Sequence, residues 1–272
     1  MTFWQSVLAF LDSSMETPAS FGWFHLLWLA ITFLALIPLL RISKQQSADH
    51  VRRVVLVTAI IVIVLELYKQ INYSFSYENG IAFDYQWYAF PFQFCSTPMY
   101  IGLLAGLIKK GKVHDSLCAY LATYAMFAGL AVMIYPNDVF ISTIGSNIQT
   151  MICHGSMITI GIYLFATGHV KLQHKTILKA MSVFAVTVGL AAVMNEIAYQ
   201  VGLLETETFN MFYISPYCDP HLLIYKDVQA VVPFPFCLII YILGFTAAAY
   251  VILLLAMGIG ALIRKVRRPA AV

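Results

Sequence analysis

The chain has 272 residues, of which 61% are hydrophobic and only 11% charged, and its mean hydropathy is +0.80. A soluble domain carries about 25% charged residues and somewhat under half apolar ones. This composition excludes a water-soluble globule, a disordered chain and a basic nucleic-acid binder. Five cysteines without a C-x-x-C spacing indicate neither a disulfide framework nor a zinc ribbon.

Long apolar stretches recur along the chain and predict seven transmembrane helices, because a helix needs about 20 apolar residues to cross a bilayer. The predicted spans are residues 21–40, 53–73, 90–108, 115–135, 149–168, 177–199 and 233–262. The expected fold class is an all-α membrane protein, a polytopic bundle of seven transmembrane helices that forms a single domain over residues 1–272.

The basic residues are divided unevenly between the two sides of these spans. All of the 16 lysines and arginines except Lys69 and Lys226 lie on one side. That set is Arg41, Lys44, Arg52, Arg53, Lys109, Lys110, Lys112, Lys171, Lys175, Lys179, Arg264, Lys265, Arg267 and Arg268. The positive-inside rule makes this side cytoplasmic. We therefore expect a multi-pass protein of the plasma membrane with its N-terminus outside and its C-terminus in the cytoplasm.

The polar side chains within the spans collect near the outer ends. They include His25, Glu66, Gln93, Cys95, Asn147, His154, Asn195 and Tyr199. Polar groups at membrane depth are costly, so each is a functional hypothesis. A proton relay or an ion pathway would need polar groups across the whole thickness. A site for an outer-leaflet lipid needs them on one side only.

Cys95 is the candidate nucleophile. On a helix it would share a face with Gly102 and Gly106, a G-x-x-x-G pair that lets a neighbouring helix approach closely. A thiol in this position can hold an acyl group as a thioester. The alternative interpretation is a small buried side chain, which is a common role of cysteine.

His154 is the candidate general base that would take the Cys95 proton. Asn147 lies seven residues earlier, on the same face of the helix. The alternative is a histidine that forms a hydrogen bond to another helix. Spacing along the chain does not show whether Cys95 and His154 are close in space.

The remaining candidates each allow a structural interpretation. Glu66 can pair with Lys69 or Gln70 on one helix face, and Asn195 and Tyr199 can bind a headgroup or form hydrogen bonds between helices. The histidines near the basic side are interpreted as solvated loop residues: His50, His114, His169 and His174. Two cysteines are interpreted as apolar core residues: Cys118 and Cys237.

Several short motifs occur in a characteristic order along the spans. They are Phe24-His25-Leu26, Pro91-Phe92-Gln93-Phe94-Cys95, Tyr135-Pro136-Asn137-Asp138 followed by Cys153-His154-Gly155, and Asn195 with Asn210-Met211-Phe212-Tyr213 and Pro216. In these places the chain resembles the YwaF-like bacterial integral membrane proteins, which are related to an animal transmembrane phospholipid acyltransferase. The resemblance implies that Cys95 carries the acyl group and that His154 is its base. At position 93 this chain has glutamine where the family pattern often has histidine. The alternative that the protein binds its ligand without catalysing a reaction therefore stays open.

Two functions follow as hypotheses. The first is acyl transfer or hydrolysis on phospholipid by Cys95 and His154, with Gln93, Asn147 or Asn195 as a donor to the oxyanion, and it requires no metal or organic cofactor. The second is a non-catalytic transporter or sensor that binds a small solute or lipid in the same outer-facing pocket. The candidate substrate-binding residues are Gln93, Asn147, Asn195, Tyr199, His25 and Glu66. Membrane lipids are the expected partners and nucleic acid is not; protein partners, including a scaffolding role, stay undefined.

Overall fold

A computed structural model describes residues 2–42, 46–219 and 222–267, without the side chains of Ile42, Leu223 and Arg267. Lys44 and Arg268, which belong to the predicted basic side, lie outside the described residues. The helices are α1 Phe3–Leu11, α2 Trp23–Ile42, α3 Ala48–Asn72, α4 Thr97–Leu107, α5 Lys112–Tyr120, α6 Met126–Ile134, α7 Ile144–Ala166, α8 Lys175–Gln200, α9 Leu223–Val231 and α10 Phe234–Arg267. A π-helix, Leu121–Ala125, joins α5 to α6. Short 3-10 helices occur at Trp87–Ala89, Leu203–Glu205 and Met211–Tyr213.

Within the described residues, six helices are long and apolar enough to cross a membrane, with mean hydropathies from 1.4 to 2.5. They are α2, α3, the continuous α5–α6 helix, α7, α8 and α10. The only strands among these residues are β1 Phe75–Ser76 and β2 Ala82–Phe83, an antiparallel pair in which Phe75 lies opposite Phe83. This architecture confirms the predicted all-α polytopic membrane protein.

The predicted third span is not one continuous helix, and that expectation was wrong. Of residues 90–108, only the 11 residues of α4 are helical, which is about 16 Å at 1.5 Å per residue. The segment still runs the length of α3: Gln70 donates to the carbonyl of Ala89 at 2.9 Å, and Arg52 donates to the carbonyl of Gly106 at 2.7 Å. The 18 positions from Arg52 to Gln70 correspond to about 27 Å of helix, close to the hydrocarbon thickness of about 30 Å. Residues 90–96 of this segment are therefore irregular backbone packed against α3.

The predicted close approach at the glycine pair is confirmed. A Cβ added to Gly106 would lie 2.5 Å from Cβ of Leu56 on α3, and one added to Gly102 would lie 3.1 Å from Cβ of Ala59. Both contacts are with α3, so the small residues seat the short helix α4 on that longer neighbour.

The continuous α5–α6 helix and α7 form the centre of the bundle. Their most apolar windows are 72% and 67% buried, against 22% for α2, α3 and α10. Helix α7 packs on α2, α3, α6 and the π-helix, and α8 packs on α5 and α10. A π-turn in the middle of a helix often accompanies a functional site. Here all five residues of the π-helix are buried and face α7 and α10.

Candidate functional site

Cys95 lies on a turn directly before α4. The backbone N–H groups of Ser96 and Thr97 both donate to the carbonyl of Gln93, at 2.9 and 3.0 Å. Pro98 then occupies the first turn of α4, where its missing N–H costs nothing. Cys95 therefore does not share a helical face with the α4 glycines as expected. It is a half-buried residue on irregular backbone just before the N-terminus of α4.

The N-terminal half of α7 lies against this turn. The thiol of Cys153 donates to the carbonyl oxygen of Cys95 at 3.8 Å. Lys69 and Glu66 of α3 are near enough to act electrostatically on the Cys95 thiol, and Lys69 also acts on the His154 ring. The structure thus gathers α3, α4 and α7 around the turn that carries Cys95.

Glu66 is the centre of a buried polar network. Its side chain is only about 5% exposed, and it accepts hydrogen bonds from Gln149 on α7 and Gln70 on α3, both at 2.8 Å. Lys69 approaches the same carboxylate at 3.5 Å, and the hydroxyl of Tyr85 donates to Gln70 at 2.6 Å. Burial and the Glu66 charge raise the pKa of Tyr85 to about 12, so its phenol stays a donor at neutral pH.

Gln149 was missed as a site residue by the sequence reading. The expected partners of Glu66 on its own helix, Lys69 and Gln70, are present. The Gln149 contact joins residues 83 positions apart, and helical spacing predicts only neighbours on the same helix.

His154 has one ring nitrogen engaged and one free. Nδ1 lies 2.7 Å from the carbonyl oxygen of Thr150. Since a carbonyl can only accept, the neutral ring carries its proton on Nδ1 and leaves a bare lone pair on Nε2. Nε2 is buried and has no hydrogen-bond partner among the described residues. His154 is about 5% exposed, so water does not readily satisfy that nitrogen.

Close packing fixes the helix around His154. A Cβ on Gly129 of α6 would lie 2.7 Å from the carbonyl oxygen of His154, and a Cβ on Gly155 would lie 2.5 Å from the hydroxyl of Thr32 on α2. Helices α2 and α6 therefore hold this part of α7 tightly.

Two further candidates, Gln93 and Asn195, clamp the loop before α9. Gln93 donates to the carbonyl of Asn210 at 2.9 Å and accepts from the N–H of Phe212 at 2.8 Å. Asn195 binds Met211 in the same two-way manner, at 3.0 and 2.7 Å.

The clamped loop has strained backbone, because Phe212 and Tyr213 both have positive φ, 59° and 56°. Such conformations cost about 1–3 kcal/mol each and persist only where the surroundings enforce them. Tyr241 adds a hydrogen bond to the carbonyl of Phe212 at 3.0 Å. The Cys95 thiol lies within electrostatic range of the Tyr213 phenol, so the loop lies near the candidate nucleophile.

The other three candidates lie in separate contacts. Both nitrogens of His25 are engaged: Nδ1 accepts from the N–H of Phe21 at 2.9 Å, and Nε2 donates to the carbonyl of Met133 at 3.0 Å. Asn147 binds the N–H and the carbonyl of Ile141, at 3.0 and 2.7 Å. Tyr199 is exposed and stacks on Tyr217, with ring centroids 3.7 Å apart.

The described residues enclose two cavities of different size. A cavity of about 30 Å³ lies between α3, α4 and α7, lined by apolar residues that include Val62, Pro98 and Cys153. A larger cavity of about 440 Å³ lies around α9 and the start of α10, between Tyr217, Lys226 and Phe234. The first is of the size of a water molecule, whereas the second falls within the usual range of ligand pockets.

At the opposite end of the bundle, the expectation that His114 is a solvated loop residue was wrong. His114 belongs to the first turns of α5 and is only about 4% exposed. Its Nε2 lies 2.8 Å from Nε2 of His169 and 3.6 Å from Sγ of Cys118. Cys118 is buried as expected, but it belongs to this polar cluster.

An all-helical bundle with six spanning helices and a buried polar network at one end defines a multi-pass integral membrane protein. The chain belongs to the TMEM164 family, whose model matches residues 20–259. The matched residues include Cys95 and His154, together with Glu66 and its partner Gln149. No curated protein and no solved structure matches the chain.

Proposed function

We propose that this protein transfers or hydrolyses acyl groups of membrane phospholipids, with Cys95 as nucleophile and His154 as general base. The observation that carries the proposal is the free, buried Nε2 lone pair of His154, a residue of α7 whose preceding residue, Cys153, bonds to the Cys95 carbonyl. A buried acceptor without a partner lowers the stability of the fold by about 1–3 kcal/mol. A role as general base accounts for this loss, because the lone pair must be free to accept the thiol proton.

The chemistry needs only this pair and the lipid. Nε2 of His154 takes the thiol proton as Sγ of Cys95 attacks the ester carbonyl carbon. The tetrahedral intermediate collapses, the carbon–oxygen bond breaks, and the leaving lysophospholipid oxygen takes the proton from His154. The acyl group is then held as a thioester on Cys95. Attack by a second lipid hydroxyl gives transfer, attack by water gives hydrolysis, and either route returns the proton to the thiol.

Gln93 is the candidate oxyanion donor that fits this scheme best. It lies two residues from Cys95, and one N–H of its amide is already fixed on the loop carbonyl of Asn210. The amide has a second N–H, and a donor held in place by other bonds stabilises developing negative charge without reorganisation. Asn195 holds the same loop, so its role in the proposal is to position Tyr213 and the backbone near Cys95.

The location of the polar residues supports a lipid substrate taken from one leaflet. The Cys95 turn and the Glu66 network lie at the end of the bundle away from most of the basic residues. By the positive-inside rule that end faces outward, so we propose a site in the outer leaflet of the plasma membrane. The surfaces of α2, α3 and α10 expose many large apolar side chains, which suits lateral access by a lipid.

The test is labelling of the purified protein with a lipid-like acyl electrophile, together with acyl transfer in vesicles. We expect Cys95→Ala to abolish both, and His154→Gln to slow both by about 100-fold or more. Cys237→Ala is the matched control, because this buried thiol bonds only to backbone carbonyls of its own region. Labelling and transfer that survive Cys95→Ala would refute the proposal.

Non-catalytic transport or sensing is the second candidate, and the interrupted third span favours it. Transporters often bind their solutes where a membrane helix is broken and irregular backbone lines the site. The irregular residues before α4, with the Gln93 amide among them, have this character. Solute uptake by reconstituted vesicles that is unchanged by Cys95→Ala would support this candidate against the acyltransferase.

A further inference from the structure

We propose a metal site for one zinc-like transition-metal ion at the basic end of the bundle, with His114, Cys118 and His169 as ligands. The site is independent of the outer-face chemistry. Its three donor atoms, two imidazole nitrogens and one thiol sulfur, all lie within 4.8 Å of one another. Nitrogen and sulfur donors are the ligands that zinc prefers in proteins.

Local sequence brings two of the ligands together. His114 and Cys118 are four residues apart on α5, so they project from the same face of the helix. Both are buried, at about 4% and 1% exposure. Nδ1 of His114 has no hydrogen-bond partner among the described residues, so the contacts at Nε2 are what orient the ring.

The third ligand comes from the turn that ends α7. Gly168 has φ +71°, a conformation that glycine adopts without strain and that often closes a helix. The N–H of Val170 then returns to the carbonyl of Leu164 at 3.1 Å. His169 lies between Gly168 and Val170 and is half-buried. The cluster therefore has one side open for an ion to enter.

The distances are close to those of a bound ion. Tetrahedral zinc, with bonds of about 2.1 Å to nitrogen and about 2.3 Å to sulfur, separates its ligand atoms by roughly 3.3–3.6 Å. The nitrogen–nitrogen distance of 2.8 Å and the sulfur–nitrogen distance of 3.6 Å need shifts of about 1 Å or less. Three protein ligands leave a fourth position for water.

Ion binding changes the protons in a defined way. Without metal, one imidazole donates its Nε2 proton to the other. With metal, both Nε2 lone pairs bind the ion, each neutral ring carries its proton on Nδ1, and Cys118 binds as thiolate. One thiol proton is therefore released to solvent for each ion bound. The ion would link α5 to the loop between α7 and α8.

The test uses the full chain purified in detergent, stripped with EDTA and titrated with Zn²⁺ against a chromophoric chelator. We expect one equivalent of Zn²⁺ to bind. Cys118→Ser and His169→Gln should each weaken binding by at least about 10-fold, because replacing a residue that only supports a metal ligand already weakens binding by that factor. His169 lies on a half-buried turn, so its variant keeps the test valid if a core substitution fails to fold. His174→Gln is the matched control, because His174 bonds to Tyr250 on α10, and it should bind Zn²⁺ normally.

Cobalt gives a second readout of the same ligands. Co²⁺ should produce a thiolate charge-transfer band in the wild type that is lost in Cys118→Ser. Failure of the wild type to bind Zn²⁺ stoichiometrically would overturn the proposal. So would wild-type affinity in His169→Gln, or a charge-transfer band that persists without Cys118.

Discussion

The half of the bundle away from most of the basic residues contains two buried histidines in contrasting surroundings. Around His25, where α2 meets the end of α6, both ring nitrogens are bonded to backbone groups. Around His154, where α7 meets α2, α3 and α6, Nδ1 is bonded and Nε2 is not. The first ring closes a structural contact, whereas the second keeps a buried ring nitrogen without a hydrogen-bond partner among the described residues. Both histidines are buried, so burial does not distinguish them. They differ in how many ring nitrogens form hydrogen bonds, which is two in the packing residue His25 and one in the candidate catalytic residue His154.

The largest stability loss should come from the fully satisfied loop clamp. Asn195→Leu leaves the buried N–H of Met211 without a partner, whereas the carbonyl of Met211 loses the Asn195 bond and keeps the one from the N–H of Ile214 at 3.4 Å. A buried unpaired N–H costs up to about 3 kcal/mol and the lost carbonyl bond about 1 kcal/mol, so we expect a loss of about 4 kcal/mol in the free energy of unfolding, measured by denaturant titration in micelles. Thr187→Val on the same helix is the control, since Thr187 bonds only within α8. A loss below about 1 kcal/mol would mean that the clamp does not hold the strained loop.

The next largest effect should fall on His25. His25→Phe keeps an aromatic ring but removes the bonds to Phe21 and Met133, so we expect a loss of about 3 kcal/mol. Reactivity of Cys95 toward a lipid-like electrophile should change little in this variant. If His25→Phe instead abolished labelling without loss of stability, the distinction between the two histidines would fail.

A third test compares two glutamine–carboxylate pairs of different burial. Gln149→Leu removes a donor from the buried Glu66 carboxylate and should cost about 2 kcal/mol. Gln200→Leu removes the same kind of bond from exposed Glu196, where the distance is 2.7 Å, and should lower the melting temperature much less than Gln149→Leu does, because water solvates and screens an exposed pair. Equal thermal shifts for the two variants would show that the network around Glu66 is as solvated as the surface pair.

The smallest expected stability effect is that of His154→Gln. The substitution gives up one bond to Thr150 and removes an unsatisfied acceptor, so we expect a change within about 1 kcal/mol. A thermal scan beside His25→Phe measures this. A loss as large as that of His25→Phe would make His154 a structural residue.

The sequence predicted the fold correctly where short-range properties of the chain, the length of an apolar stretch and the size of a side chain, determine the structure. The apolar windows located the spanning helices, and Gly102 with Gly106 located the close contact on α3, because side-chain size alone sets that approach. Residues 90–108 misled the prediction, since an apolar window has the same hydropathy whether its backbone is helical or irregular. Turn bonds from Ser96 and Thr97 to Gln93, together with contacts to α3, decide that segment.

The site was predictable only as a set of residue types. Cys95, His154 and Glu66 stood out because reactive and charged side chains are rare at membrane depth. Gln149 and the cluster of His114 with His169 depend on contacts between distant helices, which spacing along the chain does not encode. Gln93 and Asn195 were expected to bind substrate, yet each amide is bonded to loop backbone.

The central claim is that His154 activates Cys95. The most direct measurement is the rate at which a lipid-like electrophile labels Cys95 in the wild type, His154→Gln and His25→Gln, at matched pH and detergent. If His154 activates Cys95, His154→Gln slows labelling by about 100-fold or more, while His25→Gln stays within a few-fold of the wild type. Wild-type labelling rates in His154→Gln would contradict the claim.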